Sequence, residues 1–366
     1  MNDRPPLQAS ASLFEPLTLR SVTLRNRVVL SPMAQYSAED GMANDWHHVH
    51  YASRAVGGVG GVVVEVTSVR PEGRICPGEL GLWKDEQVAP LARLASAIAE
   101  QGATPGIQIG HAGRKACTAR PWEGGRAVPP ESGGWTPLGP GDEAFGPGYH
   151  APRAMTGTDL AAVVESFAAA ARRAHRAGFR FLEVHAAHGY LLHQFMSPLV
   201  NRRTDAWGGP FENRTRLALE VTRAVRAAWP GDLPLWVRIS AKDWAEGGWD
   251  VDEAVRLAAL LRDAGVDLVD SSSAGAVAHQ KVGLAPGYQV PFAERIRREV
   301  GVRTGAVGLI TEPAQAEAIV RGGKADVVLL GRVMLRDPYW PLHAAVALGF
   351  EGLWPVQYLR GRPGSA

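Results

Sequence analysis

Short apolar runs recur along the chain at 27–31, 61–66, 104–109, 181–185, 235–239, 268–271, 304–307 and 327–330. Several are near-continuous in Val, Ile and Leu, the pattern of parallel strands covered on both faces. Most of the intervals between them carry helical patterns with defined ends. Thr158 is placed to cap a helix over 159–177, whose Leu160, Val163, Phe167, Ala170 and Ala174 share one face before Gly178 stops it. Asp250 and Glu253 form a capping-box-like pair ahead of a helix over 254–264, which Gly265 ends. Thr311 opens another, with Pro313 in its first turn and Gly322-Gly323 after it.

Eight strand–helix units in a chain of 366 residues predict an α/β fold, a (β/α)8 TIM barrel. A doubly wound open sheet would want a Gly-x-Gly-x-x-Gly turn after the first strand, where Ser31-Pro32-Met33 stands instead. Residues 14–24 read as an N-terminal hairpin closing the barrel bottom. Residues 120–153, after the third strand and rich in Gly, Pro and Trp, are too long for a simple connector and read as a capping loop. The expectation is a single barrel domain over 1–366.

Composition narrows the function. Hydrophobic residues make up 46% of the chain, enough for a large core, and a formal charge of +2 with no basic run argues against a nucleic-acid partner. Cys76 and Cys117 are the only cysteines, too few for a disulfide framework and not spaced for zinc or an iron–sulfur cluster, so no metal is expected. No apolar run reaches membrane-spanning length, and the first six residues, Met-Asn-Asp-Arg-Pro-Pro, lack a signal-peptide core. A soluble, cytoplasmic protein with no membrane partner is expected.

In such a barrel the chemistry sits after the C-terminal ends of the strands. The fourth run leads into His185-Ala-Ala-His188-Gly-Tyr190. Continued extension would put the two histidines on opposite faces, so a turn must bring them together. Two imidazoles can donate to one oxygen and a phenol nearby can give up a proton, which suits a carbonyl compound that gains negative charge in reaction. The first run gives Ser31-Pro32-Met33-Ala34-Gln35-Tyr36, and the third gives Gln108 and then His111-Ala-Gly-Arg114-Lys115. The fifth holds Arg238 within an apolar strand, where a bare guanidinium would be very costly. A buried carboxylate such as Glu183 could pair with it; an electron-rich ligand is the favoured reading. Gly308 after the seventh run, with Gly331 and Arg332 after the eighth, stands where barrels commonly bind phosphate. Lys242 could serve as a Schiff-base lysine, but Asp243 beside it favours a solvated pair.

These residues resemble the Old Yellow Enzyme family of flavin-dependent ene-reductases, in its bacterial thermophilic-like branch. The likeness runs from Leu13-Phe14-Glu-Pro to Pro355-Val-Gln-Tyr358-Leu-Arg360-Gly361, through Leu24-Arg-Asn26-Arg27, Ser31-Pro-Met33, His111-Ala-Gly-Arg-Lys115, the His185–Tyr190 segment, Asn201-Arg-Arg-Thr-Asp205-Ala-Trp-Gly-Gly209, Glu212-Asn213-Arg214 and Gly331-Arg332. The resemblance implies FMN at the barrel mouth, with Pro32, Met33, Ala34, Val66, Gln108 and Arg238 along the ring system or ribityl chain. Gly308, Gly331 and Arg332 would hold its phosphate. It also implies reduction of FMN by NADPH or NADH, and reduction of the activated C=C bond of α,β-unsaturated carbonyl compounds. His185 and His188, helped by Tyr36, would bind the carbonyl oxygen, flavin N5 would supply hydride and Tyr190 the proton. Arg360, in a tail over about 350–366, would reach the neighbouring subunit's site in a homodimer or homotetramer. One position departs from the branch, which normally has a cysteine directly after Ser-Pro-Met: here it is Ala34. That implies a shifted flavin potential without loss of FMN.

Other readings are a flavin-free barrel lyase or aldolase using Lys242, and a non-catalytic ligand-binding barrel. The second has little reason to assemble His185, His188, Tyr190 and Arg238. A dienoyl-CoA-type reductase would need a cysteine cluster and a second flavin domain that this sequence does not contain.

Overall fold

The computed structural model describes residues 12–364. The expectations placed on the first six residues and on the end of the tail at 365–366 lie outside the described residues. An antiparallel hairpin, β1 (Leu17–Leu19) and β2 (Val22–Leu24), precedes β3 (Val28–Leu30), α1 (Asp45–Val56), β4 (Gly61–Ser68), α2 (Val88–Glu100) and β5 (Thr104–Gly110). A long excursion follows, containing the short pair β6 (Leu138–Gly139) and β7 (Arg153–Ala154). Regular alternation resumes with α3 (Gly157–Arg176), β8 (Phe181–Ala186), α4 (Leu191–Met196), α5 (Phe211–Ala228), β9 (Leu235–Ser240), α6 (Val251–Asp263), β10 (Leu268–Ser272), α7 (Val290–Val300), β11 (Arg303–Ala306), α8 (Pro313–Arg321), β12 (Val327–Leu330), α9 (Arg332–Arg336) and α10 (Trp340–Ala347). The strands β3, β4, β5, β8, β9, β10, β11 and β12 pair in parallel, and β12 returns to β3 to close a (β/α)8 TIM barrel. Among the described residues, no helix is long and apolar enough to cross a membrane.

The barrel interior is layered by the two-residue period of its strands. At the bottom, Leu17, Leu19 and Leu24 of the hairpin pack with Val29, Val63, Phe181, Trp236, Leu268 and Leu329. Two residues further along three of these strands, the interior turns ionic with Glu183, Arg238 and Asp270, all buried. Two further on, His185, Ser240 and Ser272 reach the C-terminal rim. Apolar burial thus fixes the lower barrel, and polar side chains gather at one mouth.

Helix ends differ in detail from the sequence reading. The cap of α3 is Thr156, not Thr158: Thr156 Oγ1 accepts from Asp159 N at 3.2 Å, and Asp159 Oδ2 accepts from Thr156 N at 2.7 Å. That reciprocal box needs a three-residue spacing, which Thr158 lacks toward Asp159. Asp250 caps α6 by accepting from Glu253 N at 2.9 Å. Thr311 does not cap α8, whose cap residue is Glu312; its N–H is instead satisfied by Gln315 Oε1 at 3.1 Å.

Candidate active site

The mouth is built where β8 ends. His188 has φ +60°, so the chain turns sharply after Ala186, as the spacing of the two histidines required. The His185 and His188 rings lie 5.1 Å apart between centroids at 77°, and His185 and Tyr190 are also 5.1 Å apart, at 71°. The turn is pinned from three sides. His188 N donates to Ser240 Oγ at 2.9 Å, His188 Nε2 and Ser272 Oγ are 2.7 Å apart, and Lys115 Nζ donates to His188 O at 2.8 Å. His185 Nδ1 is buried without a partner, an uncompensated polar atom at the rim.

Burial, reinforced by the nearby Arg238 cation, holds both imidazoles well below the ordinary histidine pKa, so both are neutral at pH 7 and each carries one N–H. Burial pushes the Tyr190 phenol well above its ordinary value, and the electronegative surroundings of Tyr36 and Glu79 add to the shift. Tyr190 therefore keeps its proton. The Lys115 ammonium sits 5.0 Å from the centre of the Tyr190 ring, and burial brings its pKa down to about 8.

An apolar wall stands beside these groups. Val66, Ile75, Ala112 and Ala116 pack with Ala34, Tyr36 and Tyr190. Val66 arrives there because the register of β4 against β5 slips between Val64 and Thr67. Such a slip re-aims side chains. It leaves Glu65 facing α1, where His47 Nε2 and Tyr51 Oη both lie 3.3 Å from its carboxylate and the Gln35 N–H donates to it. The 31–36 segment is thereby tied to β4. Gly110 opposite has no room for a side chain: a Cβ there would stand 2.7 Å from Val66 Cγ2 and 3.3 Å from His185 Cβ.

Beneath the mouth, Arg238 Nε lies 3.0 Å from Asp270 Oδ2, and Arg238 Nη1 donates to Ser31 Oγ at 3.1 Å. A buried carboxylate does pair with Arg238, the alternative to the favoured ligand reading, and it is Asp270 rather than Glu183. Register explains it, because Arg238 pairs with Asp270 across β9–β10 while Glu183 stands opposite Trp236. Glu183 instead accepts from Gln108 Nε2 at 2.7 Å, and its other oxygen is buried without a partner. Burial and the neighbouring Asp270 raise its pKa, so two interior carboxyls share one guanidinium and one of them keeps a proton.

At the ends of β11 and β12 lies a cleft of about 100 Å³ lined by Gly308, Thr311, Gly331, Arg332 and Arg336. Gly308 has φ +111°, and a Cβ on it would come within 2.9 Å of Gln289 Nε2. Arg332 and Arg336 have no carboxylate partner among the described residues, so the cleft carries uncompensated positive charge. A doubly charged phosphate suits that donor set. A flat polar ring system suits the floor of Met33, Gln108 and Arg238. The residues present therefore fit FMN.

The sequence-predicted residues thus fall into two adjoining groups. Pro32, Met33, Ala34, Tyr36, Val66, Gln108, His185, His188, Tyr190 and Arg238 come from strand ends around the mouth; Gly308, Gly331 and Arg332 form the cleft. Arg360 lies exposed on the 3-10 segment Val356–Gly361. The solvated Lys242–Asp243 pair does not form. Asp243 is buried against His193 Nε2 at 2.9 Å and Ser197, and Lys242 lies over the Trp244 ring at 5.0 Å. Sequence reading did not assign Glu65, Ser272 or Arg336. Glu65 sits in an apolar strand, the same signal that singled out Arg238, and Arg336 stands one helical turn beyond Arg332.

Residues 12–349 match the model of the NADH:flavin oxidoreductase / NADH oxidase family. The chain is 48% identical over 351 residues to an NADPH dehydrogenase of Geobacillus thermodenitrificans, covering 95% of this chain and 98% of that one. Among solved structures, it is similar to morphinone reductase in complex with tetrahydroNAD (TM-score 0.78, 27% identity, 93% of this chain and 92% of that one). It is also similar to 2-naphthoyl-CoA reductase (TM-score 0.83, 27% identity, 93% of this chain), of which it spans 52%.

Proposed function

The chain belongs to the NADH:flavin oxidoreductase / NADH oxidase family, in the Old Yellow Enzyme group, and from that premise we propose that it is an ene-reductase for α,β-unsaturated carbonyl compounds. It is an oxidoreductase that uses FMN and a reduced nicotinamide. FMN, when bound, relays two electrons from NADPH or NADH to the alkene. Gly308, Gly331 and Arg332 hold its phosphate, while Pro32, Met33, Ala34, Val66, Gln108 and Arg238 line its ring and ribityl chain.

The remaining work falls to the rim. His185 and His188, each neutral, donate to the substrate's carbonyl oxygen and stabilise the charge that develops there. The 2.7 Å contact between His188 Nε2 and the Ser272 hydroxyl fixes the orientation of the ring at the mouth. The unpartnered His185 Nδ1 costs about 1–3 kcal/mol while buried alone, a cost that a hydrogen bond to ligand offsets. Tyr190, protonated across the neutral range, delivers its proton to the α-carbon. The wall of Val66, Ile75, Ala112 and Tyr36 keeps water from competing as an acid. Arg360 completes the site of a neighbouring subunit in a homo-oligomer, and the whole chain, 1–366, acts as one FMN-binding domain in the cytoplasm.

One observation carries this reading: two neutral imidazoles and a protonated phenol, each phenol or imidazole ring within 5.1 Å of His185 at the mouth of a barrel. The test is anaerobic NADPH consumption by the FMN-loaded protein with and without 2-cyclohexenone. Consumption that depends on the enone supports the proposal, and consumption indifferent to it refutes the proposal.

A further inference from the structure

A second cavity, of about 380 Å³, opens beside the mouth and plays no part in the reaction above. It lies between Pro77 and the segment 119–132, with Arg120, Glu123, Arg126 and Ser132 in its lining. Its volume falls in the roughly 300–1,000 Å³ range of small-molecule sites. The segment is held in place by backbone bonds: Ala119 N donates to Arg126 O at 2.7 Å and Val128 N to Cys117 O at 2.9 Å.

The cavity adjoins the proposed active site through Arg120, whose Nε donates to Tyr36 O at 2.8 Å. Trp122 stands over the same joint with 66% of its surface exposed, its ring edge-on to Tyr36 at 6.0 Å. A large indole left in solvent beside a binding site is a ready stacking surface for a flat heterocycle. The charge around the cavity is lopsided. Glu123 is bound to Arg120 at 3.0 Å, while Arg126 has no carboxylate, carbonyl or ring partner among the described residues. Arg74, behind Pro77, is held by backbone carbonyls and by the Trp83 and Trp135 rings, with no carboxylate. Glu131 is exposed in the adjoining turn and is not part of the lining.

A polar aromatic step leading from the mouth to an uncompensated guanidinium suits a long ligand with a flat base and a terminal dianion. We propose that this cavity binds the 2′-phosphate-bearing adenosine end of NADPH, with Arg126 as the group that distinguishes it from NADH. The proposal rests on the ene-reductase reading, since it supplies the reductant's second foothold. A guanidinium fits a phosphate monoester through two parallel N–H donors, and the 2′-hydroxyl of NADH offers no charge to meet it.

The experiment is calorimetric titration of the FMN-loaded protein with adenosine 2′,5′-bisphosphate and with adenosine 5′-monophosphate. The bisphosphate is expected to bind about ten-fold or more tightly, the scale of one charge-assisted contact. Arg126→Gln should abolish that preference and Arg126→Lys should keep part of it; Arg126 is exposed, so both variants should fold, which their flavin spectra check. Equal binding of the two probes, or a preference untouched by Arg126→Gln, overturns the proposal. Enone reduction by the unaltered protein with NADH separates the two levels. Activity with NADH but no discrimination between the probes removes this site alone, whereas no activity with either nicotinamide removes the reading beneath it.

Discussion

Replacing Tyr190 by phenylalanine removes one hydroxyl from the site wall and leaves the ring. The hydroxyl has no hydrogen-bond partner among the described residues, so its loss orphans no protein group. The edge contact with His185 at 5.1 Å and the Lys115 ammonium at 5.0 Å both need only the ring and survive. Stability should therefore change by less than about 0.5 kcal/mol, as for substitutions that break no partnered group. The chemistry should change far more. A positioned general acid contributes about 10²–10⁴-fold, or roughly 3–5 kcal/mol of barrier. The surrounding wall of Val66, Ile75, Ala112 and Ala116 offers no substitute acid, and Tyr36 is the one other hydroxyl in that cluster. Rapid mixing of NADPH-reduced protein with 2-cyclohexenone under anaerobic conditions measures the oxidative step, and mixing oxidised protein with NADPH measures the reductive one. Tyr190→Phe should slow the first by about 100-fold or more and leave the second near normal. A slowed reductive step with an unchanged oxidative step would refute the assignment.

Three further outcomes test other parts of the account. Burial raises the Glu183 pKa to about 8, so the folded chain holds a proton that the unfolded chain releases, and this destabilises the fold progressively from the ordinary carboxyl range up to about pH 8. Glu183→Gln keeps an acceptor for Gln108 and removes that cost, so its melting temperature should exceed the parent's at pH 9 and match it at pH 4; a gain that shrinks as pH rises would contradict the protonated interior carboxyl. Arg332→Ala removes a cation from the phosphate cleft and should weaken FMN binding by about ten- to hundred-fold, measured by recovery of free flavin fluorescence; unchanged affinity would place the phosphate elsewhere. Ala34→Cys introduces a thiol beside the ring system and should shift the flavin midpoint potential in a redox titration, with identical potentials refuting contact at that position.

Much of this architecture could be read from the chain because it rests on local periodicity. The β8 run ending in His185, with His188 and Tyr190 beyond it, and the glycines after β11 and β12 announce themselves by composition and spacing. What stayed hidden depends on register between strands. Arg238 was conspicuous in β9, yet choosing Asp270 over Glu183 as its partner requires knowing which residues stand opposite across β9–β10 and β8–β9. Glu65 reaches His47 and Tyr51 only because β4 slips by one position, and no spacing rule marks such a slip. The α3 cap shows the same limit at short range. Thr156 and Thr158 are chemically equal, and the carboxylate of Asp159 selects the one that stands three residues before it. The pocket at Arg126 joins segments more than forty residues apart, around Pro77 and 119–132, with no motif of its own.

The most direct test of the central claim is product analysis after anaerobic turnover of 2-cyclohexenone by the FMN-loaded protein with limiting NADPH. Two histidines on the carbonyl oxygen and a phenol positioned for the α-carbon predict one cyclohexanone formed per NADPH consumed, with the carbonyl intact. Formation of 2-cyclohexenol, or NADPH oxidation without a saturated ketone, would contradict it.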